Sequence, residues 1–261
     1  MDPRALVYSP AQNVALWVSA WVHGVVSVDD AQDSLWELGV AMDDEVIREV
    51  LKLAREARGT DAALGTDVPD VNDGLGAMLR TDGAGVVRLL LGHPGRPLPA
   101  GVGDGFGILT PHVLYAWSAR PRGDGYARWD VTHCDPLQAS EPMMPGEADF
   151  TLAQATRQAT SLVDALQPRS SAASRLSHPR LIVGTLTDFY EAPGIPPGVT
   201  PRAEKLIARA NRVSAIIETL KDRVHDHTLD AQLLPLVGPI ADARMAAVAA
   251  ADREFLRGDA W

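Results

Sequence analysis

The chain holds a single cysteine, Cys134, in 261 residues. One cysteine excludes an intramolecular disulfide and every multi-cysteine zinc or iron–sulfur site, and it fits a reducing compartment. Lysine is scarce too: Lys52, Lys205 and Lys221 stand against 21 arginines, a bias of coding composition into which no function is read. Positive charge is in deficit, with 24 basic residues against 34 acidic ones and a formal net charge of −10. Such a field repels phosphate backbones and anionic lipid, so neither nucleic acid nor a membrane is expected as a partner. The longest apolar stretch, Val14 to Val26, is too short to span a bilayer and contains His23 and two tryptophans. Met1-Asp2-Pro3-Arg4 lacks the net positive start of a secretory signal, and no small-residue cleavage site follows. A cytoplasmic setting is therefore expected.

Short catalytic signatures are missing as well. The sequence has no GxxxxGK(S/T) phosphate loop, GxSxG elbow, HExxH, EF-hand loop or kinase signature. Sites assembled from distant residues remain open.

What is present suffices for a core. Apolar residues make up 46% and charged residues 22%, as in ordinary soluble domains. Periodicity and capping predict three helices over residues 10–57. The first carries Leu16, Trp17, Ala20 and Trp21 and ends at Gly24. The second opens on a Ser27/Asp30 capping box and closes at Gly39. The third starts at Asp43, with Lys52, Arg55 and Arg58 near its end. A helix-turn-helix reading fails on charge, because residues 1–58 hold ten acids and five bases. Residues 59–83, rich in Asp, Gly and Thr, predict a surface connection.

Strands are expected at Val86–Leu91, Phe106–Leu109, His112–Ser118 and Tyr126–Val131, adjacent and without intervening helices, hence antiparallel. A helix is expected from a Thr151/Gln154 capping box to Leu166, then a serine-rich boundary at 169–179 and a short strand at Leu181–Thr185. Beyond it, Thr200-Pro201 starts a helix with a heptad seam of Leu206, Ala210, Val213, Ile217, Leu220 and Val224. A second helix from Gly238-Pro239 carries Ile240, Ala247, Val248, Ala251 and Phe255. The expected fold class is α+β: a small, mainly antiparallel sheet flanked by helices, with an N-terminal helical segment and a C-terminal antiparallel helical hairpin. The expected division is an α+β domain over 1–168 (helical 10–57, sheet 86–131, helix 151–166) and a mainly helical subdomain over 180–261 packed on it.

The densest reactive cluster is Asp130-Val131-Thr132-His133-Cys134-Asp135, expected where a strand runs out into a loop. His133, Cys134 and Asp135 are the catalytic candidates, although strand neighbours point to opposite faces and could pair only in a turn. The structural alternative is a small buried thiol beside a loop histidine and a turn-capping aspartate. Asp130 and His133 with His112 or His93 carry the donor types of a divalent metal site, but a histidine pair across a hairpin arises readily by chance, and no metal or cofactor is expected. His225-Asp226-His227 at the end of a helix puts its two rings about 200° apart, which suits the helix dipole better than a shared ion. The glycine loop Gly101 to Gly107 departs from the dinucleotide fingerprint, while His93, Arg96 and His112 are candidates for a small ligand.

The leading expectation is thus a soluble cytoplasmic protein that binds a partner protein or small ligand without catalysis. The alternative is a hydrolase-type enzyme built on Asp130, His133, Cys134, Asp135 and His112. A homodimer through the C-terminal helices is expected, since Ile207 and Ile216 leave apolar surface to cover.

Overall fold

The computed structural model describes residues 10–63, 86–138, 141–166, 194–223 and 233–258. Among them are six helices and one four-stranded antiparallel sheet, an α+β fold. The expected serine-rich boundary, the strand at 181–185, Val224 of the heptad seam and the His225/His227 pair lie outside the described residues.

Helices α1 (Ala11–Val22) and α2 (Val28–Glu37) end where glycine allows a left-handed turn, at Gly24 and Gly39, both with φ 71°. The Ser27/Asp30 box forms in both directions. Those bonds hold the Asp30 carboxyl below its usual range, since the Ser27 hydroxyl and amide both favour the charged form. Asp43 caps α3 (Asp44–Ala63) through a 3.0 Å bond from the Val46 amide. This helix runs on past residue 57, so Lys52, Arg55 and Arg58 are not its last turn. A single internal glycine, Gly59, costs only about 1 kcal/mol against alanine and does not stop it.

The sheet is a meander: β1 (Val87–Leu90), β2 (Gly105–Leu109), β3 (Leu114–Pro121) and β4 (Ala127–Cys134), in that order. β3 starts two residues later than expected, which leaves His112 in the preceding turn. β4 continues to Cys134, beyond the expected end at Val131. The register aligns Phe106, Trp117 and Val131, and likewise Tyr115 and His133, on one face. There Phe106 stacks on Trp117 at 5.4 Å and meets Trp129 edge-on at 5.5 Å. The face packs into a core shared with α1, α3 and the C-terminal helices.

The second face is a smaller cluster of Leu90, Leu114 and Ala116, covered by Leu98 and Val102 of the glycine–proline loop. Glycine is needed where strands and loop press together. A Cβ at Gly105 would come 1.8 Å from the Trp117 carbonyl oxygen, and one at Gly103 2.9 Å from Ser118 Oγ. The loop that resembles a phosphate cradle in sequence is a cover over the sheet.

Helix α4 spans Pro145–Leu166 and begins six residues before Thr151. Pro145 takes the first helical position, where its missing N–H costs nothing, so the expected capping box lies inside the helix. Helices α5 (Pro201–Arg223) and α6 (Val237–Gly258) run antiparallel, for Gly198 lies against Phe255 while Asn211 and Ser214 reach Arg244. The seam residues Leu206, Ala210, Val213 and Ile217 are buried within the chain, and so is Ile207; Ile216 is 40% exposed. Helix α6 is buried on nearly every side, against α5, α4, α1 and β1. By length and composition Leu234–Gly258 could cross a membrane, but 72% of its most apolar window is buried in the protein, as in a core helix.

Candidate functional site

The cluster singled out in sequence is taken apart by the strand. Because β4 includes both residues, His133 points to the aromatic face, edge-on to Tyr115 at 4.8 Å, and Cys134 to the opposite face, where its thiol reaches the Leu114 carbonyl at 3.7 Å. They do not form a nucleophile–base pair. Burial pushes the Cys134 thiol up and the Asp135 charge adds to this, so the thiolate is disfavoured. Asp135 accepts the Leu137 amide at 2.9 Å and turns the chain at Pro136. Asp130 pairs with Arg120 at 2.7 Å and Arg128 at 3.4 Å on the surface. His112 is exposed in the β2–β3 turn. Among the described residues no three metal-ligating side chains converge.

The ligand candidates His93 and Arg96 do meet other charges. A pair of backbone hydrogen bonds between His93 and Arg96 closes a tight turn in the glycine–proline loop. From that turn Arg96 donates to Asp242 of α6 at 2.8 Å and to the Glu141 carbonyl at 2.6 Å. His93 Nε2 lies 3.5 Å from the same Asp242 carboxylate. The imidazole rests on the first turn of α6, where a Cβ at Gly238 would come 3.0 Å from its Nδ1. Arg96 is thus not a free cation waiting for an anion.

A second arginine completes the arrangement. Arg88 is the lone charge in the apolar run of β1, and its guanidinium forks onto Glu141 with Nη–Oε distances of 2.9 and 3.0 Å. The Arg88 side chain is 10% exposed and the Glu141 side chain 61%. Arg88 Nε, fully buried, makes no hydrogen bond. Arg88 lines a cleft with Leu90, Leu98, Leu114, Glu141 and Met245, enclosing about 40 Å³, room for a few water molecules at most. Two guanidinium groups therefore grip one residue, Arg88 its carboxylate and Arg96 its carbonyl, above an apolar floor.

At the other end of the loop the Asp104 carboxylate accepts the Gly92 amide at 2.8 Å. Crowding by the loop pushes Asp104 above its usual range, and the Gly92 bond opposes this.

Sequence reading named His93 and Arg96 but missed Arg88, Glu141 and Asp242. The available signal was a charge inside an apolar element: Arg88 within Val86–Leu91, and Asp242 within the alanine-rich helix.

Fold and cleft together define an α+β protein in which a meander sheet is wrapped by helices and a charged cleft opens beside the first strand. Over residues 146–245 the chain is similar to the C-terminal domain of Rv1486c-like proteins. That stretch begins in the first turn of α4 and ends within α6, so it includes Asp242 and Met245 but not the sheet. No curated protein and no solved structure matches the chain.

Proposed function

We propose that the protein is a cytoplasmic binding protein, with no reaction of its own, whose ligand joins a carboxylate to an apolar body. The observation that carries this reading is the Arg88–Glu141 fork. A guanidinium nine-tenths buried beside leucines is matched by a carboxylate standing mostly in water. Burying a guanidinium is costly unless a planar acid group meets both its Nη atoms. Glu141 supplies that group, and a ligand carboxylate has the same shape and charge. Because Glu141 is largely solvated, returning its carboxylate to water costs little, and its withdrawal together with the Leu98 loop is what widens the 40 Å³ cleft so that the ligand's apolar part reaches Leu90, Leu98, Leu114 and Met245. A single cysteine, which can form no internal disulfide, is what supports the cytoplasmic setting.

The test is calorimetric titration of the full chain with octanoate and, in parallel, with octanol. Octanoate is expected to bind saturably and to stabilise the fold, by about 2.7 kcal/mol at a hundred times its Kd. Arg88→Met is expected to abolish this, and Glu141→Gln, which removes the competing internal acid, to tighten it by at least about twofold. Equal binding of the alcohol, or octanoate binding untouched by Arg88→Met, sinks the assignment.

A further inference from the structure

Strand β4 is an edge of the sheet, and its ladder alternates in a way the hairpin turn fixes. The Arg122 amide donates to the Tyr126 carbonyl, so the pairs bonded to β3 continue at Arg128, Asp130, Thr132 and Cys134. Ala127, Trp129, Val131 and His133 therefore turn their amides and carbonyls away from β3. Ala127 confirms the phase, for its amide is taken by the Ala41 carbonyl at 3.1 Å in a short parallel bridge. At the far end Asp135 and Pro136 turn the chain out of the strand. Between these limits, from Arg128 to Cys134, no strand among the described residues pairs with the outer edge. Val131, in the middle of that free stretch, is 39% exposed.

We infer that this edge pairs with the same edge of a second copy of the chain, antiparallel about a twofold axis at Val131, giving a continuous eight-stranded sheet in the dimer. The free stretch is self-complementary about that residue. Trp129 then faces His133 of the second copy, and Val131 faces its twin; all are outward-bonding positions, so each pair can exchange two backbone hydrogen bonds. On the other face Asp130 lies opposite Thr132 of the second copy, and Arg128 lies opposite Cys134, next to Asp135. No like charges meet, and the one cation in the stretch ends beside an acid. A register centred on Asp130 would set that carboxylate directly against its twin, and more distant registers fail on backbone grounds. Centring on Trp129 needs the Ala127 amide already given to Ala41, and centring on His133 runs the strand into Pro136. An exposed edge with an aromatic residue, a histidine and a valine on its outward-bonding positions presents a ready template for pairing with another chain.

The experiment is the oligomeric state of the full chain by light scattering and sedimentation, with two variants. Val131→Pro removes an outward amide and leaves the bonds to β3 intact, so the fold survives. Because the twofold axis doubles each loss, the dimer dissociation constant is expected to rise by about tenfold to a hundredfold. Val131→Cys in a Cys134→Ser background is expected to form an intermolecular disulfide on mild oxidation, since bonded antiparallel partners sit about 5.5 Å apart between Cα atoms. The same background with Leu137→Cys, exposed but outside the strand, is not. A wild-type chain monomeric at all concentrations overturns the inference. So does a dimer that Val131→Pro leaves unchanged and Val131→Cys does not lock, as dimerisation through the C-terminal helices would give.

Discussion

Strand β4 and helix α6 both carry several chemically capable side chains, and folding treats them in opposite ways. Along β4, Asp130, His133, Cys134 and Asp135 are neighbours in sequence, yet they end on two faces and a turn, each with a local partner of its own. Along α6, Asp242, Arg244 and Asp252 are spread through an alanine-rich helix, yet each is a meeting point for distant segments. Asp252, fully buried, accepts from Ser19 at 2.6 Å and from the Val87 amide at 3.2 Å, and lies 2.9 Å from His23 Nε2. Arg244, also buried, binds Gln12 of α1 together with Asn211 and Ser214 of α5. Crowding in sequence therefore does not make a site in a strand, whose two-residue period disperses neighbours. A core helix touches several elements at once, and a lone charge on it must collect partners from all of them.

The contrast is broken or sharpened first by deletion. Asp252→Ala removes the carboxylate that the Val87 amide and the Ser19 hydroxyl donate to in the core and is expected to destabilise by about 3–5 kcal/mol, whereas Asp130→Ala, with solvated arginine partners, should lose less than about 1 kcal/mol. Urea unfolding of the two variants reads both values. Comparable losses would mean that the β4 cluster is more than surface pairing.

Next comes reactivity. With the Cys134 thiol pushed up by burial and by Asp135, iodoacetamide is expected to label it more slowly at neutral pH than it labels free cysteine. Labelling should quicken in denaturant and as pH rises beyond the usual thiol range. Rapid labelling of the folded chain at neutral pH would return Cys134 to the nucleophile candidates.

The smallest expected effect is at Asp104. Its carboxyl is raised, so the folded state holds the proton more tightly than the unfolded one. The stability this contributes is full below the ordinary carboxylate pKa and is lost as pH climbs through the raised value. Asp104→Asn keeps an acceptor for the Gly92 amide and should flatten stability across that window by a small margin. An unchanged slope in the urea midpoint against pH would assign the slope to other carboxylates.

Much of the fold was legible from local chemistry. Gly24 and Gly39 end helices, Ser27 and Asp30 cap one, Thr200 and Pro201 open another, and the four strands fall close to their expected places. Boundaries failed where a local rule was overridden. Gly59 does not stop α3, and Pro145, sitting among turn-forming prolines, starts a helix rather than breaking one. Of the candidate site, only His93 and Arg96 were found in advance. Their partners Asp242 and Glu141 are remote in sequence, and nothing in the local pattern of Arg88 says which carboxylate meets it.

The amino-acid order by itself determined the helices, the antiparallel hairpins and the apolar seam of α5, because caps, turn residues and hydrophobic periods act over a few residues. Tertiary structure alone decided which charges are buried and with whom. It drew α6 into the centre, laid the glycine–proline loop over the sheet, set Arg88 against Glu141, and, among the described residues, left the outer edge of β4 without a strand partner between Tyr126 and Pro136. Those outcomes depend on contacts between segments tens to hundreds of residues apart, where desolvation and packing, rather than local propensity, set the free energy.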